Sequence, residues 1–158
     1  TGTNFSSFYN SSEGTIYSEV AFAGIENSSF PRVYQFGDES ASDSYHRLII
    51  DSSAAPFHLD ASTNITASGT QASFNSNTVT IGQAVKTAYA YKANDFKVDY
   101  SVGSSGASAD TSGAVPTGID ELLIGNRPSG NAPLTGHIKR LVYFPTRLAD
   151  ATLQSIAS

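Results

Sequence analysis

Three acidic residues lie close together in one turn-rich segment, as Asp38-Glu39-x-x-x-Asp43. Paired carboxylates can act as general acid and base on a glycosidic bond. Carboxylates in one loop can also bind calcium, which prefers several oxygen ligands. We predict a calcium site at Asp38, Glu39 and Asp43. The alternative, a solvated charged loop that keeps the protein soluble, stays open.

A second candidate site combines aromatic, planar polar and basic side chains. Tyr45, His46 and Arg47 directly follow the acidic loop, and Arg127 and Asn131 lie in the loop after the segment DELLIG. Glycan recognition needs an apolar platform beside a few polar anchors. Because the chain has no Trp, Tyr must supply the platform. We predict that these five residues meet at one rim and bind ligand, with ordinary packing as the alternative for each.

Motifs of the common enzyme classes are absent from the sequence. It has no G-x-S-x-G, H-E-x-x-H, phosphate-loop or G-x-G-x-x-G pattern. The three histidines, His46, His58 and His137, are dispersed without metal-ligand spacing, and there is no cysteine. We therefore predict a non-catalytic domain.

Composition limits the function classes further. The 158 residues carry 9 basic and 14 acidic side chains, a net charge of −5. Such a chain without a basic run is a poor binder of nucleic acid, and no stretch has the length of a membrane span. The same net charge disfavours strongly acidic glycans unless calcium bridges them. The sequence begins Thr1-Gly2-Thr3 and contains no Met, so we expect residues 1–158 to form a single domain cut from a longer chain.

Short alternating segments separated by turn residues must position these side chains. Residues 85–92 and 96–102 alternate as the two strands of a hairpin, and Leu148, Leu153 and Ile156 recur near helical spacing. This pattern predicts an all-β antiparallel sandwich or jelly roll with a short C-terminal helix. The predicted strands are 14–24, 32–36, 45–51, 56–60, 62–67, 71–74, 78–81, 85–92, 96–102, 120–126 and 137–144.

The C-terminal part has a recognisable signature. Gly136-x-Ile138-x-x-Leu141-x-Tyr143, followed by Arg147-Leu148-x-Asp150-x-x-Leu153, resembles the end of laminin-G-like, concanavalin A-like jelly rolls. Tyr9-Asn10 and Glu13-Gly14-Thr15 resemble the opening of such domains in structural proteins of tailed phages. The resemblance implies a concanavalin A-like jelly roll. It also implies an extracellular setting in a phage virion. The E-x-D-x-x-E string of the retaining glucanases of this superfamily is missing.

The resemblance implies a non-catalytic domain of a phage tail fibre or related virion protein that adheres to a bacterial surface polysaccharide. A homotrimeric parent protein is an expectation of that setting. One alternative is a structural capsid or tail decoration domain that binds other virion proteins. The others are a polysaccharide hydrolase or lyase with unusual residues, and a eukaryotic laminin-G-like or pentraxin-like adhesion module.

Overall fold

A computed structural model describes residues 2–24, 30–38, 44–53, 55–127 and 130–158. In this part of the chain, strands pair antiparallel into two five-stranded sheets. The first sheet has the order β10-β1-β6-β7-β8, and the second has the order β5-β4-β3-β2-β9. The strands are β1 (Glu13–Phe22), β2 (Arg32–Gly37), β3 (Tyr45–Asp51), β4 (His58–Ile65), β5 (Gly69–Asn75), β6 (Ala84–Lys92), β7 (Phe96–Tyr100), β8 (Ala109–Asp110), β9 (Glu121–Ile124) and β10 (Gly136–Phe144). The predicted antiparallel sandwich is confirmed.

The two sheets enclose a core rich in aromatic side chains. Ile16 on β1, Tyr89 on β6 and Phe36 on β2 are fully buried, because alternate residues of each strand point inward. The sheets also share polar contacts, since the Tyr89 hydroxyl lies 2.5 Å from Thr63 Oγ1, which in turn lies 2.6 Å from His46 Nδ1. These contacts satisfy polar atoms that would be costly to bury alone.

Helix α2 (Asp150–Ala157) covers the outer face of the first sheet. Its Leu153 and Ala157 pack against Tyr17, Ala88 and Ala90. The predicted C-terminal helix is thereby confirmed, and a short α1 (Gly2–Ser6) adds a second helix at the other end of the chain. Because α2 packs against β6 and β7 of the first sheet, it leaves the outer face of the second sheet uncovered.

Most strand ends shift by one or two residues from the prediction, and two of the predictions are wrong. Residues 56–60 and 62–67 were predicted as separate strands, but His58–Ile65 forms one strand that pairs without interruption with β3. Residues 78–81 form no strand; Val79 alone is buried there, and its N–H donates to the Phe57 carbonyl over 2.9 Å. Within the described ranges, neither helix is long and apolar enough to cross a membrane.

Candidate functional site

The register of β2, β3 and β4 places two of the predicted ligand residues on the outer face of the second sheet. Arg47 on β3 lies opposite Gln35 on β2 and Ser62 on β4, and residues paired in this way share one face. Tyr45, two residues earlier, shares that face. The Arg47 guanidinium carbon lies 4.1 Å from the centre of the Tyr45 ring, and its Nε donates to Ser62 Oγ over 3.2 Å. Arg47 and Tyr45 therefore form one cation–π unit.

A buried arginine that the sequence did not single out lies beside this unit. Arg32 is only 6% exposed, and it donates from Nε to Gln35 Oε1 over 3.2 Å and from Nη1 to the Phe30 carbonyl over 3.0 Å. Burial, and then the charges of Arg47 and Arg127, lower the pKa of Arg32 to about 10. Neither Arg32 nor Arg47 forms an ion pair with a described residue. Three guanidinium groups thus act on one another at this face.

The loop between β9 and β10 contacts the start of β2, where Arg32 lies. The Arg32 N–H donates to the Ala132 carbonyl over 3.2 Å, which fixes the loop against the start of β2. Asn126 Oδ1 accepts from the backbone N–H groups of Arg127 (2.9 Å) and Ala132 (3.2 Å). Arg127 Nε also donates to Asn131 Oδ1. The structure therefore brings Arg127 and Asn131 together and anchors their loop beside Arg32.

An unpaired acceptor lies across the face from Arg32. Ile49 pairs with Arg32 on one side and with Asp60 on the other, so the three residues form a row across three strands. Asp60 Oδ2 accepts from Ser73 Oγ over 2.7 Å, whereas Asp60 Oδ1 is buried without a hydrogen-bond partner. A buried acceptor without a partner is costly. The face therefore offers cationic donors at one end and a vacant acceptor at the other, with apolar Ile49 between them.

His46 is a correction to the predicted ligand set. Its side chain is fully buried between the sheets, with the ring stacked on Tyr91 at a centroid distance of 3.8 Å. Burial lowers the pKa of His46 to about 3, so the ring is neutral at physiological pH. A fully buried ring presents no surface to a glycan. The alternation along β3 already indicated this difference, because His46 must lie on the face opposite to that of Tyr45 and Arg47.

The predicted calcium loop is described only in part. Asp38 directly follows β2, but Glu39 and Asp43 lie outside the described residues. Within the described ranges, no three His, Cys, Asp or Glu side chains are grouped closely enough to hold a metal ion. A calcium site at Asp38, Glu39 and Asp43 stays a prediction.

Strict alternation along β2 assigns Arg32 to the wrong face of the sheet. Counting by twos along β2 places Arg32 on the same face as Tyr34 and Phe36, which point into the core. The register shifts between Arg32 and Tyr34, however, as in a β-bulge, and the Arg32 side chain instead bonds that of Gln35. A bulge re-aims a side chain in this way. The sequence pattern carried no signal for it.

Comparison with known proteins shows the fold. No family model matches this chain, and no curated protein matches it. The CBM40 of the Ruminococcus gnavus IT-sialidase, solved with α2,6-sialyllactose bound, has a TM-score of 0.72 at 16% identity and covers 94% of this chain and 85% of its own. A leech intramolecular trans-sialidase, complexed with 2,7-anhydro-Neu5Ac, reaches the same TM-score at 14% identity, covering 94% of this chain but 23% of the enzyme.

A third solved structure is more distant. The SAP-like pentraxin from Limulus polyphemus has a TM-score of 0.58 at 10% identity and covers 92% of this chain and 70% of its own. At these identities the similarity concerns the fold: the chain has the jelly-roll sandwich of its neighbours.

Proposed function

We propose that this chain is a non-catalytic glycan-binding domain, that its ligand carries a carboxylate, as sialic acid does, and that the outer face of the second sheet binds it. The observation that carries this proposal is that Arg32 and Arg47 lie close together on one face and form no ion pair with a carboxylate of the described residues. Guanidinium groups bind carboxylates through paired N–H donors. The sialyllactose bound by the R. gnavus CBM40 is a glycan of this class.

Each part of the face has a role in this binding. Arg32 and Arg47 donate to the ligand carboxylate, and the Tyr45 ring holds the Arg47 guanidinium in place. Asp60 Oδ1, which is buried without a partner, accepts from a ligand hydroxyl or amide N–H. Arg127, bonded to Asn131, adds a third cation from the loop. Because Arg32 is nearly buried, its interaction with an anion is weakly screened by water.

The carboxylates on this face favour binding over hydrolysis. Asp51 on β3 and Asp60 on β4 are diagonal neighbours in the register. A glycosidase of the usual two-carboxylate type needs one carboxyl with a raised pKa as its general acid. Asp51 has the opposite property, because hydrogen bonds from the Ser53 hydroxyl and backbone N–H lower its pKa. This supports a binding role for the face.

The biological setting is a further part of the proposal, supported by the sequence resemblance alone. In it, the domain belongs to a phage tail fibre or related virion protein, adheres to a bacterial surface polysaccharide, and sits in a homotrimeric parent beside other virion domains. Calcium at the loop that begins with Asp38 would stabilise the rim. Thermal unfolding with calcium and with EDTA tests the metal: a ligand of the folded state must raise the midpoint, and equal midpoints would contradict a calcium site.

Titration calorimetry with 3′-sialyllactose, 6′-sialyllactose and lactose tests the function. We expect both sialylated sugars to bind and lactose to bind far more weakly. Replacing Arg47 by alanine should weaken binding roughly 10- to 100-fold, because hydrogen bonds to charged groups contribute about 1.5–3 kcal/mol.

The matched control is Arg140→Ala. Arg140 is an exposed arginine of the first sheet, opposite Glu19 on β1, and its replacement should leave affinity unchanged. Equal affinity of the wild type for lactose and sialyllactose, or equal loss in the two arginine variants, would contradict the proposal.

A further inference from the structure

Phe30 has a backbone conformation that a bulky residue rarely adopts. Its φ is 47°, in the left-handed region, and it precedes Pro31. Glycine or asparagine fits this region with little strain, whereas a large side chain does not. Strained residues of this kind persist where the surrounding structure holds them, and they concentrate at functional sites. The presence of phenylalanine here needs a reason beyond chain geometry.

Two hydrogen bonds hold Phe30 in this conformation. Its N–H donates to Oγ of the fully buried Ser52 over 3.2 Å. Its carbonyl accepts from Arg32 Nη1 over 3.0 Å. The second bond connects the Phe30 backbone directly to the buried guanidinium of the proposed site. The same contact that positions Arg32 thus fixes the backbone that carries the ring.

The Phe30 ring is not accounted for by core packing. The side chain is 36% exposed, and it is not part of either hydrophobic cluster of the described residues. An exposed aromatic residue whose backbone carbonyl bonds a guanidinium group suits an amphipathic ring ligand. Such a ligand presents an apolar C–H face to the aromatic ring and a polar edge to the hydrogen-bond donors.

We propose that Phe30 is the aromatic platform of the glycan site. Its ring packs against the C–H face of a sugar while Arg32, bonded to its carbonyl, binds the carboxylate. This inference rests on the proposed function and extends it, because it assigns the ring contact to a residue outside β2 and β3, the two strands that carry Arg32 and Arg47. The strained backbone is maintained because it holds ring and guanidinium at a fixed separation.

Three substitutions at Phe30 separate the ring from its backbone. Phe30→Leu keeps an apolar side chain and the unfavourable φ but removes the aromatic face. Phe30→Tyr keeps the face. Phe30→Gly removes both the ring and the strain. Each variant is titrated with 3′-sialyllactose and 6′-sialyllactose and is also measured for its thermal midpoint. The control is Phe8→Leu, since Phe8 is likewise exposed (44%) but packs against Phe5 and Tyr143.

We expect Phe30→Leu and Phe30→Gly to weaken binding roughly three- to tenfold, the range that aromatic contacts contribute. Phe30→Tyr and Phe8→Leu should bind like the wild type. The thermal midpoint of Phe30→Gly should equal or exceed that of the wild type, because glycine adopts this φ freely.

Two failures are distinguishable. If the wild type binds sialyllactose and Phe30→Leu or Phe30→Gly binds equally well, the platform is wrong and the proposed function stands. If the wild type binds neither sialylated sugar, both the proposed function and the proposed role of Phe30 are wrong. A lowered midpoint of Phe30→Gly with unchanged affinity would identify Phe30 as a packing residue and would likewise overturn the platform.

Discussion

Replacing Arg32 with methionine should separate the charge of this side chain from its volume. Burial, and next the charge of Arg47, lower its pKa to about 10, which corresponds to a cost of about 3 kcal/mol for holding the charge in the fold. A lowered pKa of a basic group means that folding opposes the charged form. The cost is therefore complete at neutral pH and diminishes only as pH rises through about 10.

The substitution also removes two hydrogen bonds. Gln35 Oε1 and the Phe30 carbonyl each lose a donor, at about 1 kcal/mol apiece. The relief of the buried charge offsets this loss, so we expect the free energy of unfolding of Arg32→Met to lie within about 1 kcal/mol of the wild type. A purely structural arginine would behave differently, because each buried acceptor left without its donor costs up to about 3 kcal/mol.

Urea unfolding with and without 6′-sialyllactose, followed by circular dichroism, measures both quantities. We expect the ligand to stabilise the wild type and to have little effect on Arg32→Met, because only a folded state with an intact site gains from the ligand. Arg140→Met is the control and should retain full stabilisation by the ligand. A loss of about 3 kcal/mol or more in Arg32→Met, or an undiminished ligand effect, would refute a functional charge at Arg32.

Two further predictions concern the core. Burial lowers the pKa of His46 to about 3, so below pH 6.5 the unfolded chain binds a proton that the folded chain does not, and the free energy of unfolding should fall as pH decreases from about 6.5 towards 3. In urea unfolding, the free energy of unfolding should decrease less between pH 7 and pH 4 for His46→Phe than for the wild type. Equal decreases would contradict this. Gly14→Ala should lower stability by roughly 1–3 kcal/mol, because the added Cβ would lie 2.6 Å from the hydroxyl oxygen of the buried Tyr91. The control Gly24→Ala meets only Thr135 at 3.5 Å, and a similar loss in both glycine variants would contradict the clash.

The sheet framework could be predicted because its strands follow simple rules. The alternation of β6 and β7 predicted a hairpin, and those strands pair as expected. Their turn has no Asn-Gly pair, yet Asn94 adopts a φ of 58° and supplies the left-handed residue of the turn. Strand ends were harder to predict. The break predicted within β4 was wrong because polar Asp60 and Ser62 flank the small inward-facing Ala61, and such a run of small and polar residues resembles a loop in the sequence.

The candidate site could be predicted only in part, for a physical reason. Tyr45 and Arg47 were close in sequence and share a face by strand geometry, so their proximity followed from the pattern. Arg32 lies on another strand, and the register shift beside it reverses the face that alternation assigns. Because one inserted residue exchanges the two faces of a strand, this position could not be placed without the three-dimensional pairing.

Net charge and local charge favour different ligands. A chain with a net charge of −5 would be expected to repel an acidic glycan, but interactions between exposed charges are screened beyond about 8–10 Å at physiological salt. A bound carboxylate therefore responds mainly to the charges beside it. Arg32, Arg47 and Arg127 are near enough for two of them to lower the pKa of the third. In the proposed site, burial and the neighbouring guanidinium groups both oppose the charge of Arg32, and an incoming carboxylate would offset this cost. The proposal therefore rests on the local cluster and not on the overall charge.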